Sequence, residues 1–270
     1  MNNKILKIKD LDYLELKYSR SFHECSQKHY HNLICFLALK KGTAKIVINE
    51  KETILDENTL VVINPNEVHY SISSDFNEDY YVIYIDRSWY MNLQKLTYKT
   101  EDTLLLPNKI VKKRYLDSFF ALFEFLNSSN ESIKKELLLL DFFKEIFTMY
   151  CKKSEVVKMD NTTQIAKDFK EYIENNISSK LTLSKISNEL GYSPYHIIRV
   201  CNQDFGLSAN AYIVNKRVHR AKKLIADGFD ISKAALEVGF YDQSHLTNVF
   251  KKVFAITPKA YQKEIEKNED

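Results

Sequence analysis

The chain has 270 residues, 44% of them hydrophobic and 13% aromatic, with 39 basic and 36 acidic side chains for a formal net charge of +3. That composition supplies two cores of ordinary size and excludes a wholly disordered chain. No run approaches the ~20 apolar residues of a membrane helix, so a helical membrane protein is excluded too.

The first residues, MNNKILKIKDLDYLELKY, carry charges throughout and have no apolar leader-type core, so a cytoplasmic location with no membrane partner is expected. Four cysteines, Cys25, Cys35, Cys151 and Cys201, show no metal-type or redox-type spacing. They are expected to be reduced and mostly buried thiols.

LICFLALK (33–40), TAKIVIN (43–49), TLVVIN (59–64) and YYVIYID (80–86) are β-branched and aromatic runs. Turn signals at Lys41-Gly42, Asn49-Glu50 and Asn64-Pro65-Asn66 separate them, so short antiparallel strands in a small barrel or sandwich are predicted. Residues 29, 31, 33, 35, 37 and 39 alternate onto one face. That face places His29 and His31 at the barrel mouth beside Cys35 and Leu37, and His69 follows the later strand after Asn64-Pro65-Asn66.

Two helical patterns come next. Tyr115, Phe119, Leu122, Phe123 and Leu126 form one stripe. Ile133, Leu137, Leu140 and Phe147 follow a similar period that Lys144 interrupts. NSSN (127–130) is the loop between them, and KKSEVVKMDNTT (152–163) reads as a polar linker. From spacing alone these are ordinary amphipathic helices suited to packing within their own chain.

Beyond the linker the sequence repeats itself. HIIRVCNQDFGLSANAY (196–212) lies over HLTNVFKKVFAITPKAY (245–261), with His196/His245, Val200/Val249, Phe205/Phe254, Ala211/Ala260 and Tyr212/Tyr261 identical. LTLSKISNELGY (181–192) lies over FDISKAALEVGF (229–240), pairing Ser184/Ser232, Lys185/Lys233, Glu189/Glu237 and Gly191/Gly239. Two copies are too few for a solenoid, so two small modules in tandem are predicted. Each is a helix, a Gly turn and a second helix; Ser193-Pro194 supplies an N-cap and a first-turn Pro in the first copy.

In the first restarted helix Ile197, Val200 and Cys201 share the core face, and Tyr195, Ile198, Arg199 and Asn202 share another. The paired sets are Leu246, Val249 and Phe250 for the core, and Ser244, Thr247, Asn248 and Lys251 for the second face. Arg and Asn bridge guanine and adenine edges in a major groove, Lys and Ser serve bases or phosphates, and Ile meets a thymine methyl. A solvated face is the competing reading, and its duplication in register favours base reading. Residues 178–263 hold 13 basic and 6 acidic side chains, so positive charge concentrates on the repeat, as phosphate contacts require. Lys222 and Lys223 are expected among those contacts.

GFYDQSHLTNVFKKVFAITPKAY resembles the C-terminal signature of AraC/XylS-type transcription regulators, and KRVHRAKKLIADG with ISKAALEVGF resembles the linker helix and the start of the second motif. The resemblance spans about Ile165 to Gln262. It implies recognition helices at 193–204 and 242–254 and a connecting helix near 208–227. Gln203, Gln243, Arg217 and Arg220 join the eight face residues above as expected DNA contacts. Cys201 stands where Phe is usual, Ala255 where Gly is usual and Asn248 where Arg is common. HYHNLICFLALKKGTAKIVI with ENTLVVINPNEVHYSI resembles the cupin-like sensor domain that precedes many such DNA-binding domains.

The resemblance implies an α+β chain: a cupin-like β-barrel with packing helices (1–151; barrel about 10–86, helices about 87–151), a linker (152–163), and an all-α domain (164–270) with helix-turn-helix motifs at about 181–204 and 229–254 joined by a linker helix. It implies a regulator of double-stranded DNA, an activator that contacts RNA polymerase, with a homodimer seam on the barrel's helices. His29, His31, Cys35 and His69 are then effector-binding residues, with no cofactor, no metal and no catalytic residue. Cupin enzymes add a Glu to such histidines, but positions four and five beyond His31 are Cys35 and Phe36. A metalloenzyme with a DNA-binding appendage would need Glu24 or Glu67 as the acidic ligand. Histidines that only brace the barrel rim, in an effector-independent DNA-binding protein, are the third reading.

Overall fold

A computed structural model describes residues 4–8, 11–19, 27–73, 79–99, 104–129, 131–150 and 163–269. The sequence places nearly all of 152–163, together with Glu24, Cys25 and Cys151, outside the described residues.

The N-terminal half is built from β1 (Lys4–Lys7), β2 (Leu14–Ser19), β3 (Leu33–Lys41), β4 (Ala44–Ile48), β5 (Lys51–Leu55), β6 (Leu60–Ile63), β7 (His69–Ser73), β8 (Asp79–Asp86) and β9 (Lys109–Ile110). They form a six-stranded sheet, β1-β2-β8-β3-β6-β9, and a three-stranded sheet, β5-β4-β7, with all neighbours antiparallel. Asn49 and Glu50 close the β4–β5 hairpin with φ of 47° and 66°, the two left-handed positions of a type I′ turn. The predicted runs become β3, β4, β6 and β8. Strands β1, β2 and β5 lie in stretches whose charges interrupt the apolar alternation, β7 is polar at His69, Ser71 and Ser73, and β9 has only two residues; none of the five was predicted.

Alternation along β3 builds two cores. Cys35, Leu37 and Leu39 point between the sheets with Ile46, Val61 and Val82. Ile34, Phe36 and Ala38 point outward, under α1 (Arg87–Tyr98), α2 (Lys113–Ser128) and α3 (Ser132–Tyr150). Phe36 meets Phe142 and Phe143 edge-on at 5.3 and 5.4 Å, an arrangement that adds to the area buried.

The α2 stripe is buried as predicted, Tyr115, Phe119, Leu122, Phe123 and Leu126 all facing inward. The α3 stripe is corrected. Its buried face is Leu139, Phe142, Phe143, Ile146 and Phe147, whereas Ile133 is 79% exposed and Leu137 56%. The run ELLLLDFFKEIF offers apolar residues on several faces, and the large aromatic rings take the core because they bury most surface.

The C-terminal half is helical: α4 (Gln164–Asn175), α5 (Leu183–Leu190), α6 (Pro194–Asp204), α7 (Ala209–Ala226), α8 (Ile231–Glu237), α9 (Gln243–Phe254) and α10 (Pro258–Glu269). Phe169, Ile186, Ile197, Cys201 and Tyr212 fill the first module, and Ala234, Leu246, Phe250 and Tyr261 fill the second. Helix α7 serves both, giving Tyr212 to one core and Val218, Ala221 and Ile225 to the other. Burial in the first core pushes the Cys201 thiol up to about 12, so it behaves as a small apolar plug. Ala255 ends α9 with φ 57°, keeping the left-handed exit that usually favours Gly.

Candidate functional site

Helices α6 and α9 start the same way. The Ser193 hydroxyl accepts from the His196 amide at 3.2 Å and the Asp242 carboxylate from the His245 amide at 2.7 Å. These caps fix each helix against its Gly turn, where Gly191 and Gly239 have φ of 71° and 84°. The remaining faces are then set by the buried ones. With Ile197, Val200 and Cys201 inward, Tyr195 (72% exposed), Ile198, Arg199, Asn202 and Gln203 stand out to solvent on α6. On α9 Gln243, Ser244, Asn248 and Lys251 are exposed and Thr247 is half-buried. Arg220 is exposed on α7.

Two cationic residues expected on DNA are engaged within the protein. Arg217 is half-buried, its guanidinium donating to the Ile177 carbonyl at 3.0 Å and the Ser179 carbonyl at 2.7 Å. It staples α7 to the α4–α5 connection, and Gly239 leaves the room it needs, since a Cβ there would lie 2.7 Å from that guanidinium. Lys222 turns toward the barrel and pairs with Glu15 of β2 at 2.7 Å, with side chains only 17% and 15% exposed. Charge counted along the sequence identified both as basic but could not say which way they point.

The four predicted effector residues do come together. His29, His31, Cys35 and His69 are all buried and line one cavity of about 440 Å³. His29 and His69 exchange backbone hydrogen bonds of 3.1 and 2.8 Å, which tie the segment before β3 to the start of β7. The His69 ring lies 4.3 Å from that of His29 and 4.7 Å from that of His31. Each imidazole meets a backbone carbonyl through Nδ1: His29 with Gln27 at 2.9 Å, His31 with Leu33 at 3.0 Å, His69 with Glu67 at 2.8 Å. A carbonyl only accepts, so Nδ1 carries the proton and Nε2 the lone pair. Burial holds all three rings neutral, with His69 lowered to about 4.

Most of the remaining cavity wall was not predicted, and part of it comes from the DNA-binding half. Asn215, His219 and Lys222 of α7 and Val253 and Phe254 of α9 face the barrel's Lys17, Tyr30 and Tyr84 across it. Several bonds fasten this seam. The Lys17 ammonium donates to the Phe254 carbonyl at 2.7 Å, at the end of the second recognition helix. Asn215 donates to the Tyr30 carbonyl at 3.1 Å and accepts from its amide at 3.4 Å. Ile5 of β1 joins the apolar core of the second module. Val68 approaches the turn after α6, where a Cβ on Gly206 would come within 3.2 Å of it. One barrel therefore touches both modules.

Among the described residues, no group of three or more His, Cys, Asp or Glu is arranged to hold a metal ion. Of the two acidic ligands the metalloenzyme reading names, Glu24 lies outside the described residues and Glu67 is committed elsewhere: its Oε2 accepts from the Asn64 amide at 2.7 Å and from Asn108 at 2.7 Å, which fixes the β6–β7 turn. Among the described residues no acidic side chain joins the three histidines as a cupin-type metal set requires. No helix among the described residues is long and apolar enough to cross a membrane.

A β-sheet domain enclosing a pocket, coupled to paired helix-turn-helix modules with two exposed polar faces, defines a ligand-binding transcription regulator. Comparison with known families agrees: residues 14–143 match the AraC-like ligand binding domain and residues 186–264 match a helix-turn-helix domain. The multiple antibiotic resistance protein MarA of Escherichia coli is 34% identical over 93 residues, 34% of this chain and 73% of MarA. The HTH-type transcriptional regulator YbfI of Bacillus subtilis is 25% identical over 226 residues, 81% of this chain and 80% of that protein. Among solved structures, unsaturated fatty acid-bound ToxT from Vibrio cholerae shares the fold with a TM-score of 0.62 at 17% identity, over 97% of this chain and 96% of ToxT. The chain belongs to the AraC family: it is a DNA-binding transcription regulator with an N-terminal ligand-binding domain.

Proposed function

We propose that α6 and α9 enter successive major-groove segments on one face of the duplex, about one helical turn apart, and that a small molecule in the shared cavity governs this binding. Arg199 and Asn202 read bases from α6, and Ser244, Asn248 and Lys251 from α9; Arg220 serves phosphate. His29, His31, Cys35 and His69 form the barrel side of the effector site. The observation that carries the reading is the cavity's mixed wall, in which the rings of the barrel histidines and the end of α9 border the same space. An occupant that touches both domains has differential affinity for their relative arrangements, and that is the condition for shifting them. The unsaturated fatty acid bound to ToxT, a protein of the same fold, supports a small-molecule effector here. Activation through RNA polymerase and dimerisation through the barrel's helices rest on family membership, and the exposed Ile133 and Leu137 of α3 supply an apolar surface for the second.

A thermal-shift screen of the full chain against metabolites tests this, followed by DNA-affinity measurements with each hit. A compound that raises the melting temperature in the parent but not in His31→Ala, and that changes DNA affinity, is the expected result. Compounds that bind without changing DNA affinity, or DNA binding indifferent to every ligand, would refute effector control.

A further inference from the structure

The barrel histidines share a property with one residue of the DNA-binding half. His219 on α7 hydrogen-bonds the Tyr30 carbonyl, which uses one ring N–H, and its Nε2 is buried with no hydrogen-bond partner. The ring lines the same cavity as His29, His31 and His69. It is fixed edge-on against Phe254, the last residue of α9, at 5.1 Å. Four imidazoles thus border one space, and each has given its only N–H to a backbone carbonyl.

Neutral imidazoles in this tautomer cannot hydrogen-bond one another, because each offers only a lone pair. Burial keeps them neutral, His219 being lowered to about 3, with Lys222 and Lys216 opposing any added proton. The His219 Nε2 is buried without a donor and the Ser71 hydroxyl of the same wall is buried without a partner, a penalty that a matching ligand group removes. The cavity therefore favours an occupant that brings several O–H or N–H donors. Ammonium-type donors are disfavoured by Lys17, Lys222 and Lys223, which line the same space with Glu15 as the acidic member of the wall. Hydroxyl groups satisfy the acceptors without adding positive charge. The apolar floor of Leu37, Ile46 and Val82 requires a compact molecule with some hydrocarbon edge.

We propose that His219 is a ligand-binding residue supplied by the DNA-binding half, and that the four imidazole acceptors select a neutral or acidic polyhydroxylated effector. This rests on the effector-control reading above and names its ligand class. His219 also gives the ligand a direct route to α9, through the ring contact with Phe254.

The test is a thermal-shift titration of the full chain with D-glucose, myo-inositol and D-gluconate as hydroxylated probes, and decanoate and zinc as contrasts. At least one hydroxylated probe is expected to raise the melting temperature in a saturable way. His219→Phe, which keeps an aromatic ring beside Phe254 but removes the acceptor, should weaken that probe tenfold or more. His219→Gln, which restores an acceptor oxygen and a donor for Tyr30, should recover most of the affinity. His31→Phe provides a second acceptor deletion from the barrel side, should either His219 variant fail to fold. A shift with decanoate but with no hydroxylated probe overturns the ligand class and leaves effector control standing. Zinc stabilisation that His219→Phe abolishes overturns it in favour of a metal. Hydroxylated-probe affinity unchanged in His219→Phe overturns the role of His219, and a probe that binds without altering DNA affinity counts instead against effector control.

Discussion

His69→Gln should flatten the dependence of stability on pH. His69 is lowered by burial from an ordinary 6.5 to about 4 in the folded protein. Between those values the unfolded chain binds a proton that the folded one refuses, so stability falls as pH falls. The sign follows from the depressed folded value: stability is complete above pH 6.5 and is lost as pH drops toward 4. A shift of 2.5 units, at about 1.4 kcal/mol per unit, makes the full loss about 3 kcal/mol for this residue alone. About 2 kcal/mol of it falls between pH 6.5 and 5, above the range where most carboxylates titrate. His29, His31 and His219 are lowered in the same direction and steepen the parent curve further. Trp89 is the only tryptophan and packs against Tyr13 and Phe143, so its fluorescence reports the N-terminal half. Guanidinium unfolding followed at Trp89 from pH 7.5 to 5 gives the parent and variant curves. The variant should lose up to about 1.4 kcal/mol less per pH unit in that window. Parallel curves would mean that His69 is not kept neutral by the fold, and the acceptor chemistry argued for the cavity would go with it.

Three further outcomes are expected. Arg199→Ala should cost about 1 to 3 kcal/mol at the specific DNA site and relax base preference at one position, as a binding-site selection would reveal. Lys222→Ala should leave the salt dependence of DNA binding unchanged, since its ammonium pairs with Glu15; loss of the partly buried pair should instead destabilise the domain seam by about 1 to 3 kcal/mol, seen in a double-mutant cycle with Glu15→Gln. Gly239→Ala should destabilise the second module by more than about 2 kcal/mol, because its Cβ meets the Arg217 guanidinium and the Ile177 carbonyl at φ 84°. Gly228→Ala, at φ 87° with nothing within 4 Å, should cost only the conformational term of about 1 kcal/mol. Equal losses in the two variants would remove the steric argument for Gly239.

The DNA-binding half was legible because its signals are local. Ser193, Gly191 and Asp242 sit within a few residues of the turns they make, and the repeat shows the same pattern of core and exposed faces twice. The barrel was legible where strands are apolar, as in β3 and β8, and opaque where Glu15 and Lys17 interrupt β2, because those two charges serve an interface with residues 222 and 254. The face of α3 was misread since Ile133 and Leu137 have the right spacing but the aromatic rings of Phe142, Phe143 and Phe147 displace them from the core. His29, His31 and His69 were brought together by the resemblance to the cupin-like sensor domain, while His219 was missed, because a helix 150 residues beyond His69 closes the pocket and no local pattern records that. The intraprotein partners of Arg217 and Lys222 were not legible either, because a basic residue counts the same wherever it points.

A hydroxyl-radical footprint of the full chain on a selected DNA site, repeated with Arg199→Ala and Asn248→Ala, tests the two-helix reading of DNA most directly. Two protected segments about one helical turn apart on one face are expected, with Arg199→Ala weakening one segment and Asn248→Ala the other. A single continuous segment, or one in which both substitutions weaken the same bases, would contradict the two-helix reading of DNA.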